Sequence, residues 1–365
     1  MQTSENTLDV GDLDVGEMEN FGAKVIGMLN GAMAMLMLSI GHRSGLFDTM
    51  AELGPCDATA LARRADRDER YIREWLGAML CAGILDYDPS SGTYRLPAAR
   101  AALLTRAAGA NNMAIFSQMI GVCATVEDQI LHCFEHGGGL PYSEFPRFHE
   151  VAGEYSAAMH DTNLLQVTLP LVPGILERLE SGVALADIGA GRGHAINLMA
   201  AAFPRSTFTA IDFSADALAH GEAEAARMGL TNTRFVLQDA ATLNEHATYD
   251  FITTFDAVHD QADPLAMVRG VHQALAPGGY WLCVDIGASS HEGANADHPL
   301  GAFLYTLSCM HCMTVSLAHH GAGLGAMWGE QRALELFNEA GFADISVTKT
   351  ANDPFNNYYL CRKTA

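Results

Sequence analysis

The spacing of apolar and polar residues changes character twice along the chain. From Phe21 to about Ala110 apolar residues recur at helical intervals. Asp57 predicts an N-cap for a short helix over 58–64. Asp68 predicts a second helix over 69–82, with Tyr71, Trp75, Leu76 and Leu80 on its inner face. Next, Ile84-Leu85-Asp86-Tyr87 and Thr93-Tyr94-Arg95-Leu96 flank Asp88-Pro89-Ser90-Ser91-Gly92, which predicts a β-hairpin. Helix, helix, hairpin in this order predicts a winged helix. Residues 111–180 carry a helical pattern broken at Gly137-Gly138-Gly139-Leu140-Pro141, as expected of a helical linker and pocket lid. From Val183 onward, strand-like runs alternate with helical ones. The strands are expected at 183–188, 207–212, 234–238, 250–255, 280–286, 344–349 and 357–362. That alternation predicts a doubly wound α/β sheet with its ligand outside the carboxyl ends of the strands. The expected organisation is a flexible acidic tail (1–20), a mostly α winged-helix dimerisation domain (21–110), the linker (111–180) and a catalytic α/β domain (181–365).

Charge narrows the range of partners. The 365 residues include 43 acids against 21 Lys and Arg, a net charge of −22. Nucleic acid and anionic membranes both need concentrated positive charge, so neither is an expected partner. Residues 1–20 hold no Lys or Arg, which excludes a secretory signal. The apolar run 25–40 is shorter than the roughly 20 residues of a membrane span and contains Gly27, Asn30 and Gly31. With Met28, Met33, Met35, Met37 and Leu38 it is expected to be a buried or dimer-forming helix. The eight cysteines are scattered, as expected of reduced thiols. A cytoplasmic homodimer is the expectation.

The strongest chemical signal is Asp187-Ile188-Gly189-Ala190-Gly191-Arg192-Gly193, which follows an apolar strand and opens a helix. Glycines at such a turn let the backbone pass close to a ligand. Asp212 ends the next strand, near the spacing expected of an acid that holds ribose hydroxyls. Asp239 ends a third strand and is placed to accept from an adenine amino group. A dinucleotide site fits this spacing too. The turn, however, is not the Gly-x-Gly-x-x-Gly that cradles a pyrophosphate, and Asp187 stands ahead of it. A carboxylate there suits S-adenosylmethionine (SAM), which carries an ammonium and a sulfonium and no phosphate. Ala190, Phe213, Ala240 and Phe255 are expected to wall the site.

As a set, Asp187 to Gly193, Asp212, Asp239 and Leu275-Ala276-Pro277-Gly278-Gly279 resemble the successive motifs of class I SAM-dependent methyltransferases, over about Val183 to Arg362. The resemblance implies a Rossmann-like sheet of seven strands, the last antiparallel. It also implies that Asp187, Gly189, Ala190, Gly191, Arg192 and Gly193 meet the homocysteine part, Asp212 the ribose and Asp239 the adenine.

After the fourth strand comes Phe255-Asp256-Ala257-Val258-His259-Asp260-Gln261. A histidine at the carboxyl end of a strand beside the switch point suits proton removal at neutral pH, and a hydroxyl acceptor benefits from such a base. The winged helix followed by this domain resembles the plant-type and bacterial small-molecule O-methyltransferases, which place a His-Asp pair here and use the His as base. That implies catalytic roles for His259 and Asp260. The Trp flanking the pair in plant enzymes is replaced by Phe255 and Gln261. The closer likeness is to a bacterial branch with the His-Asp-Gln step, Met310-His311-Cys312-Met313 and a Gly-Leu-Gly-x-x-Trp-Gly turn.

The acceptor is expected to be a small soluble molecule methylated on a heteroatom. A hydroxyl leads by resemblance, and a thiol or sulfide, which needs a base less, is the alternative. The 303–318 segment is expected to be one helix whose Met310, His311 and Met313 line the acceptor pocket, joined by Trp328, Tyr142 and Phe145. Glu330 is a candidate for orienting His259. Cys309, His311 and Cys312 invite a zinc reading, but a structural zinc wants four ligands and a single pair does not supply them, so no metal is expected. A SAM-responsive regulator is the other class to weigh. Over 41–110, nine arginines meet nine acids, and the expected recognition helix carries Asp68, Glu69 and Glu74. DNA-reading domains show a basic face, so DNA binding is not expected.

Overall fold

The computed structural model describes residues 14–364, which divide into two compact units at Ile120/Gly121. The first unit begins with the helix Val15–Ser44, capped by Asp14, whose carboxylate accepts from Glu17 N. The tail was expected to reach residue 20; residues 15–20 are instead the first turns of this helix, and residues 1–13 lie outside the described residues. Gly27, Asn30 and Gly31 do not break it. With 30 residues and a mean hydropathy of 1.6 over its most apolar window, it is long and apolar enough to cross a membrane by those measures alone, contrary to the expectation from 25–40. Most of it is open within the unit: Phe21, Val25, Ile26, Met28, Leu29 and Met33 are all exposed.

The helices Leu46–Leu53, Ala58–Ala65 and Glu69–Cys81 follow, then the hairpin of β1 (Asp86–Asp88) and β2 (Thr93–Arg95), with Cys56 bridged to Tyr94. Asp57 accepts from Ala60 N and Asp68 from Arg70 N and Tyr71 N, so both expected caps form. The inner face of the Glu69–Cys81 helix differs from expectation. Ile72, Trp75, Leu76 and Met79 are buried, Leu80 is half-buried, and Tyr71 is 80% exposed. Ile72, Trp75, Leu76 and Met79, at i, i+3, i+4 and i+7, form a continuous apolar stripe, and Tyr71 falls off it. Trp75 anchors the unit by donating its Nε1–H to the Met37 carbonyl at 2.9 Å while meeting Phe47 edge-on at 5.3 Å.

In the second unit, seven strands form one sheet: β3 (Ala184–Ile188), β4 (Thr207–Asp212), β5 (Thr233–Leu237), β6 (Tyr249–Phe255), β7 (Leu275–Ile286), β8 (Asp344–Thr350) and β9 (Asp353–Arg362). Their spatial order is β5-β4-β3-β6-β7-β9-β8. The pairs from β5 to β7 are parallel, and β9 runs antiparallel between β7 and β8. The strands fall within a few residues of expectation because buried parallel strands are short apolar runs closed by turn residues. Two cores cover the two faces. Trp281, Phe337, Phe342 and Tyr359 lead one, and Phe208, Phe251, Ile196 and Met199 the other. The chain leaves β3 toward β4 on one side and reaches β6 on the other, so the switch point lies between the carboxyl ends of β3 and β6.

Candidate active site

The glycine turn sits at this switch point. Gly189 N and Ala190 N both donate to the Ile211 carbonyl, at 2.8 and 3.1 Å, which folds the turn back over β4. Gly189 has φ 73°, and a Cβ there would stand 2.5 Å from Ala257 Cβ, so neither the backbone nor the space admits a side chain. Gly193, at φ 69°, begins the helix His194–Ala202, and a Cβ there would meet the Phe235 ring at 2.8 Å. Gly191, also left-handed at φ 53°, has open space where its Cβ would be.

Asp212 fixes this turn from the next strand. One carboxylate oxygen accepts from Gly191 N and the other from Ser214 N, both at 2.8 Å. Asp187 is buried beneath the turn and accepts from the Thr253 hydroxyl at 2.7 Å. Burial lifts its carboxyl to about 7; the Thr253 hydroxyl pulls it down and the Asp212 charge pushes it up. Such a carboxyl is stabilised as an anion by an arriving cation. Asp239 is exposed at the end of β5, where it accepts from Ala241 N at 2.9 Å, and Ala240 beside it is buried. Phe213 is half exposed next to Asp212. Arg192 runs its aliphatic stem past Gly153 on the helix Phe148–Asn163. Buried acid, open glycine and two further strand-end acids fit SAM: a carboxyl for its ammonium, a close backbone approach, and acceptors for ribose and adenine.

Across the switch point, His259 is 3% exposed. Its Nδ1–H donates to Asp285 Oδ1 at 2.7 Å, since a carboxylate only accepts. The same oxygen accepts from Trp328 Nε1 at 3.1 Å and from Ile286 N at 2.8 Å. Nε2 lies 3.3 Å from Asp260 Oδ1, close enough for charge attraction but not aligned as a hydrogen bond. Burial by itself would depress the imidazole; Asp285 and Asp260 outweigh it and hold the ring well above the usual histidine range. The Cys312 thiol stands beside them, its sulfur, a His259 ring nitrogen and an Asp260 oxygen lying within 4.8 Å of one another.

Tyr142 closes the site, its hydroxyl donating to Asp260 Oδ2 at 2.6 Å. His311 lies behind it, wholly buried, stacked on Phe148 with centroids 3.4 Å apart and edge-on to Tyr142 and Phe145. Among the described residues neither of its ring nitrogens has a hydrogen-bond partner, and burial pushes its pKa down to about 4. The 303–318 segment is not one regular helix. A π-helical turn, Ser308–Cys312, joins Gly301–Leu307 to Met313–Ala318 and carries both His311 and Cys312. Met310 and Met313 are half-buried on it.

Two residues are placed differently from expectation. Glu330 accepts from Asn357 Nδ2 at 3.1 Å, and the carboxylate on His259 is Asp285 instead. Trp328 packs into the sheet core and holds Asp285 from behind. Sequence reasoning missed Asp285, which ends β7 as Asp187 ends β3; a strand-end acid was the available signal. Asp256 carried no expected role, and Cys312 was expected only as part of the pocket segment and not beside His259.

Residues 179–341 match the model of a methyltransferase domain, and residues 32–106 that of the Rv2258c-like winged HTH domain. No curated protein matches the sequence. Among solved structures, an O-methyltransferase described as putative, from Nostoc punctiforme, is 18% identical, with 93% of this chain and 98% of that one covered and a TM-score of 0.71. Human N-acetylserotonin methyltransferase in complex with SAM is 16% identical over 98% and 100%, with a TM-score of 0.67. The mitomycin 7-O-methyltransferase MmcR is 17% identical over 95% and 99%, with a TM-score of 0.68. At these identities the structural likeness shows the fold. Domain content and cofactor cradle together define a SAM-dependent methyltransferase. Its build is a winged HTH domain of the Rv2258c-like kind followed by the methyltransferase domain.

Proposed function

We propose that the protein transfers the methyl group of SAM to a hydroxyl of a small soluble acceptor, with His259 as general base. The observation that carries this reading is the buried His259–Asp285 pair, which fixes the tautomer and leaves Nε2 as the working nitrogen. Bound SAM supplies an electrophilic methyl on a sulfonium. Gly189, Ala190, Gly191, Arg192 and Gly193 cradle the cofactor's amino-acid end beside Asp187, while Asp212 and Asp239 take ribose and adenine. With SAM bound, His259 Nε2 would receive the hydroxyl proton as the acceptor oxygen took the methyl group, leaving a methyl ether and S-adenosylhomocysteine. Asp285 stabilises the imidazolium that forms. Tyr142 swings from Asp260 to admit the acceptor, and Phe145, Met310, His311 and Met313 wall the pocket. Two structural neighbours, human N-acetylserotonin methyltransferase and the mitomycin 7-O-methyltransferase, are named for small-molecule acceptors, and the second is named for transfer to oxygen, which supports a hydroxyl. A panel of phenols, hydroxy acids and thiols, read out as S-adenosylhomocysteine, tests the class. Turnover confined to thiols contradicts it.

In the first unit, Arg64, Arg70, Arg73, Arg95, Arg100 and Arg106 are each ion-paired to an acid of the same unit. Six of nine arginines neutralised in this way support an assembly role over DNA reading. The exposed apolar side of Val15–Ser44 is the proposed face between two copies. Light scattering at micromolar concentration is expected to show a dimer; a monomer there contradicts this.

A further inference from the structure

A second feature adjoins the proposed base. A cavity of about 40 Å³ opens between the helix Phe148–Asn163 and the ends of β6, β7 and β9, lined among others by Tyr155, Asn163, Asp256, Asp353 and Tyr358. Its volume is enough for a small polar head group. Asp256 occupies a left-handed backbone position, φ 49°, immediately after β6. Its carboxylate, a His259 ring nitrogen and an Asp285 oxygen lie within 4.8 Å of one another. The cavity therefore opens directly beside the His259–Asp285 pair.

Two buried polar atoms at this cavity have no hydrogen-bond partner among the described residues. Asp353 is 3% exposed; one of its oxygens accepts from Tyr358 Oη and Asn356 Nδ2, both at 2.9 Å, while Oδ1 has no hydrogen-bond partner. Asn163, equally buried, has an unpartnered Nδ2. An orphaned buried carboxylate oxygen calls for a donor and an orphaned amide N–H for an acceptor.

The charges point the same way. Asp285, Asp353 and Asp260 all bear on the Asp256 carboxyl, with His259 as the one opposing charge, and no Lys or Arg lies among the described residues that line the cavity. Asp256 is crowded by protein atoms although part of it stays open to solvent, and that crowding, followed by Asp285, raises its carboxyl above the usual range. A cation between Asp256 and Asp353 relieves this excess. The cofactor's own ammonium already has a partner in Asp187.

We propose that the cavity is an ammonium subsite, so that the acceptor is a hydroxyl compound carrying an amine, with an oxygen near it to meet Asn163. This rests on the methyl-transfer reading of the same site. The ammonium is a handle and not the nucleophile: held between two carboxylates it stays protonated and has no lone pair with which to attack the methyl. Only the hydroxyl, presented to His259, can do so. Asp256 and Asp353 thus choose among hydroxyl compounds without touching the reacting atoms.

The test measures binding by calorimetry to the full chain saturated with S-adenosylhomocysteine. The probes are tyramine against para-propylphenol, and para-(aminomethyl)phenol against para-ethylphenol. In wild type at least one amine is expected to bind tenfold or more tightly than its neutral counterpart. In Asp256→Asn/Asp353→Asn that preference is expected to vanish. Asparagine suits the left-handed position at 256, and at 353 its carbonyl still accepts from Tyr358 and Asn356. Equal affinities in wild type, or a preference that survives in the variant, overturns the proposal. So does a tenfold loss of S-adenosylhomocysteine affinity in the variant, which would assign the cavity to the cofactor's own ammonium. Failure of wild type to bind S-adenosylhomocysteine at all sinks the methyl-transfer reading separately. The same amine pairs, titrated into the free protein, then decide the subsite on its own.

Discussion

His259 Nδ1 and Asp285 Oδ1 are 2.7 Å apart with both side chains buried, and Trp328 and Ile286 donate to that same oxygen. Three donors on one carboxylate oxygen fix its position, and through it the orientation of the imidazole ring. Replacing Asp285 with Asn removes the nearer of the two charges that raise the His259 pKa. The pKa must then fall. The rising limb of the pH–rate profile is expected to move to lower pH, and the plateau to drop on the order of tenfold or more as the base weakens. A profile unchanged in both position and height contradicts the arrangement.

As the proposed partner of the cofactor's ammonium, Asp187 is expected to make cofactor binding depend on pH. Its carboxyl, lifted to about 7 by burial, is largely protonated below that point and must ionise to hold an ammonium. SAM affinity is therefore expected to rise with pH up to about 7 and then level. Protons should be released on binding, as calorimetry in two buffers of different ionisation enthalpy would show. Asp187→Asn should flatten the dependence and weaken binding. A wild-type affinity independent of pH between roughly 5 and 8 argues against Asp187 as the ammonium's partner.

Gly189 tests the cradle by shape. Gly189→Ala adds left-handed strain of about 1–3 kcal/mol and an overlap with Ala257 Cβ. The melting temperature is expected to fall by several degrees and S-adenosylhomocysteine binding to weaken. Adding Ala257→Gly removes the overlap and leaves the strain, so the double variant should recover part of the loss. No recovery would mean the turn is not pressed on Ala257.

Much of the fold was legible because its signals are local. The caps at Asp57 and Asp68 form as the sequence predicts, and strand β4 matches its expected ends. What eluded the sequence depends on which side of an element faces inward or on contacts between distant segments. Tyr71 lies one step off the apolar stripe of its helix. Asp285 reaches His259 across the parallel pairing of β6 and β7. Glu330, equally plausible by type, is drawn to Asn357 on β9. The π-helical turn that carries His311 and Cys312 inserts one extra residue into a helix, and no residue type marks it.

The central claim is that His259 removes the acceptor's proton. The most direct measurement is the pH–rate profile of methyl transfer to a hydroxyl acceptor, read as S-adenosylhomocysteine release, in wild type and in His259→Gln. Glutamine keeps similar size and a hydrogen bond but cannot take the proton. The account predicts that the wild-type rate rises through a pKa above that of free imidazole, because Asp285 and Asp260 hold His259 high. It predicts that His259→Gln loses that step and roughly 10²–10⁴-fold in turnover, with S-adenosylhomocysteine affinity nearly intact. Turnover within a few-fold of wild type across the whole pH range would contradict it.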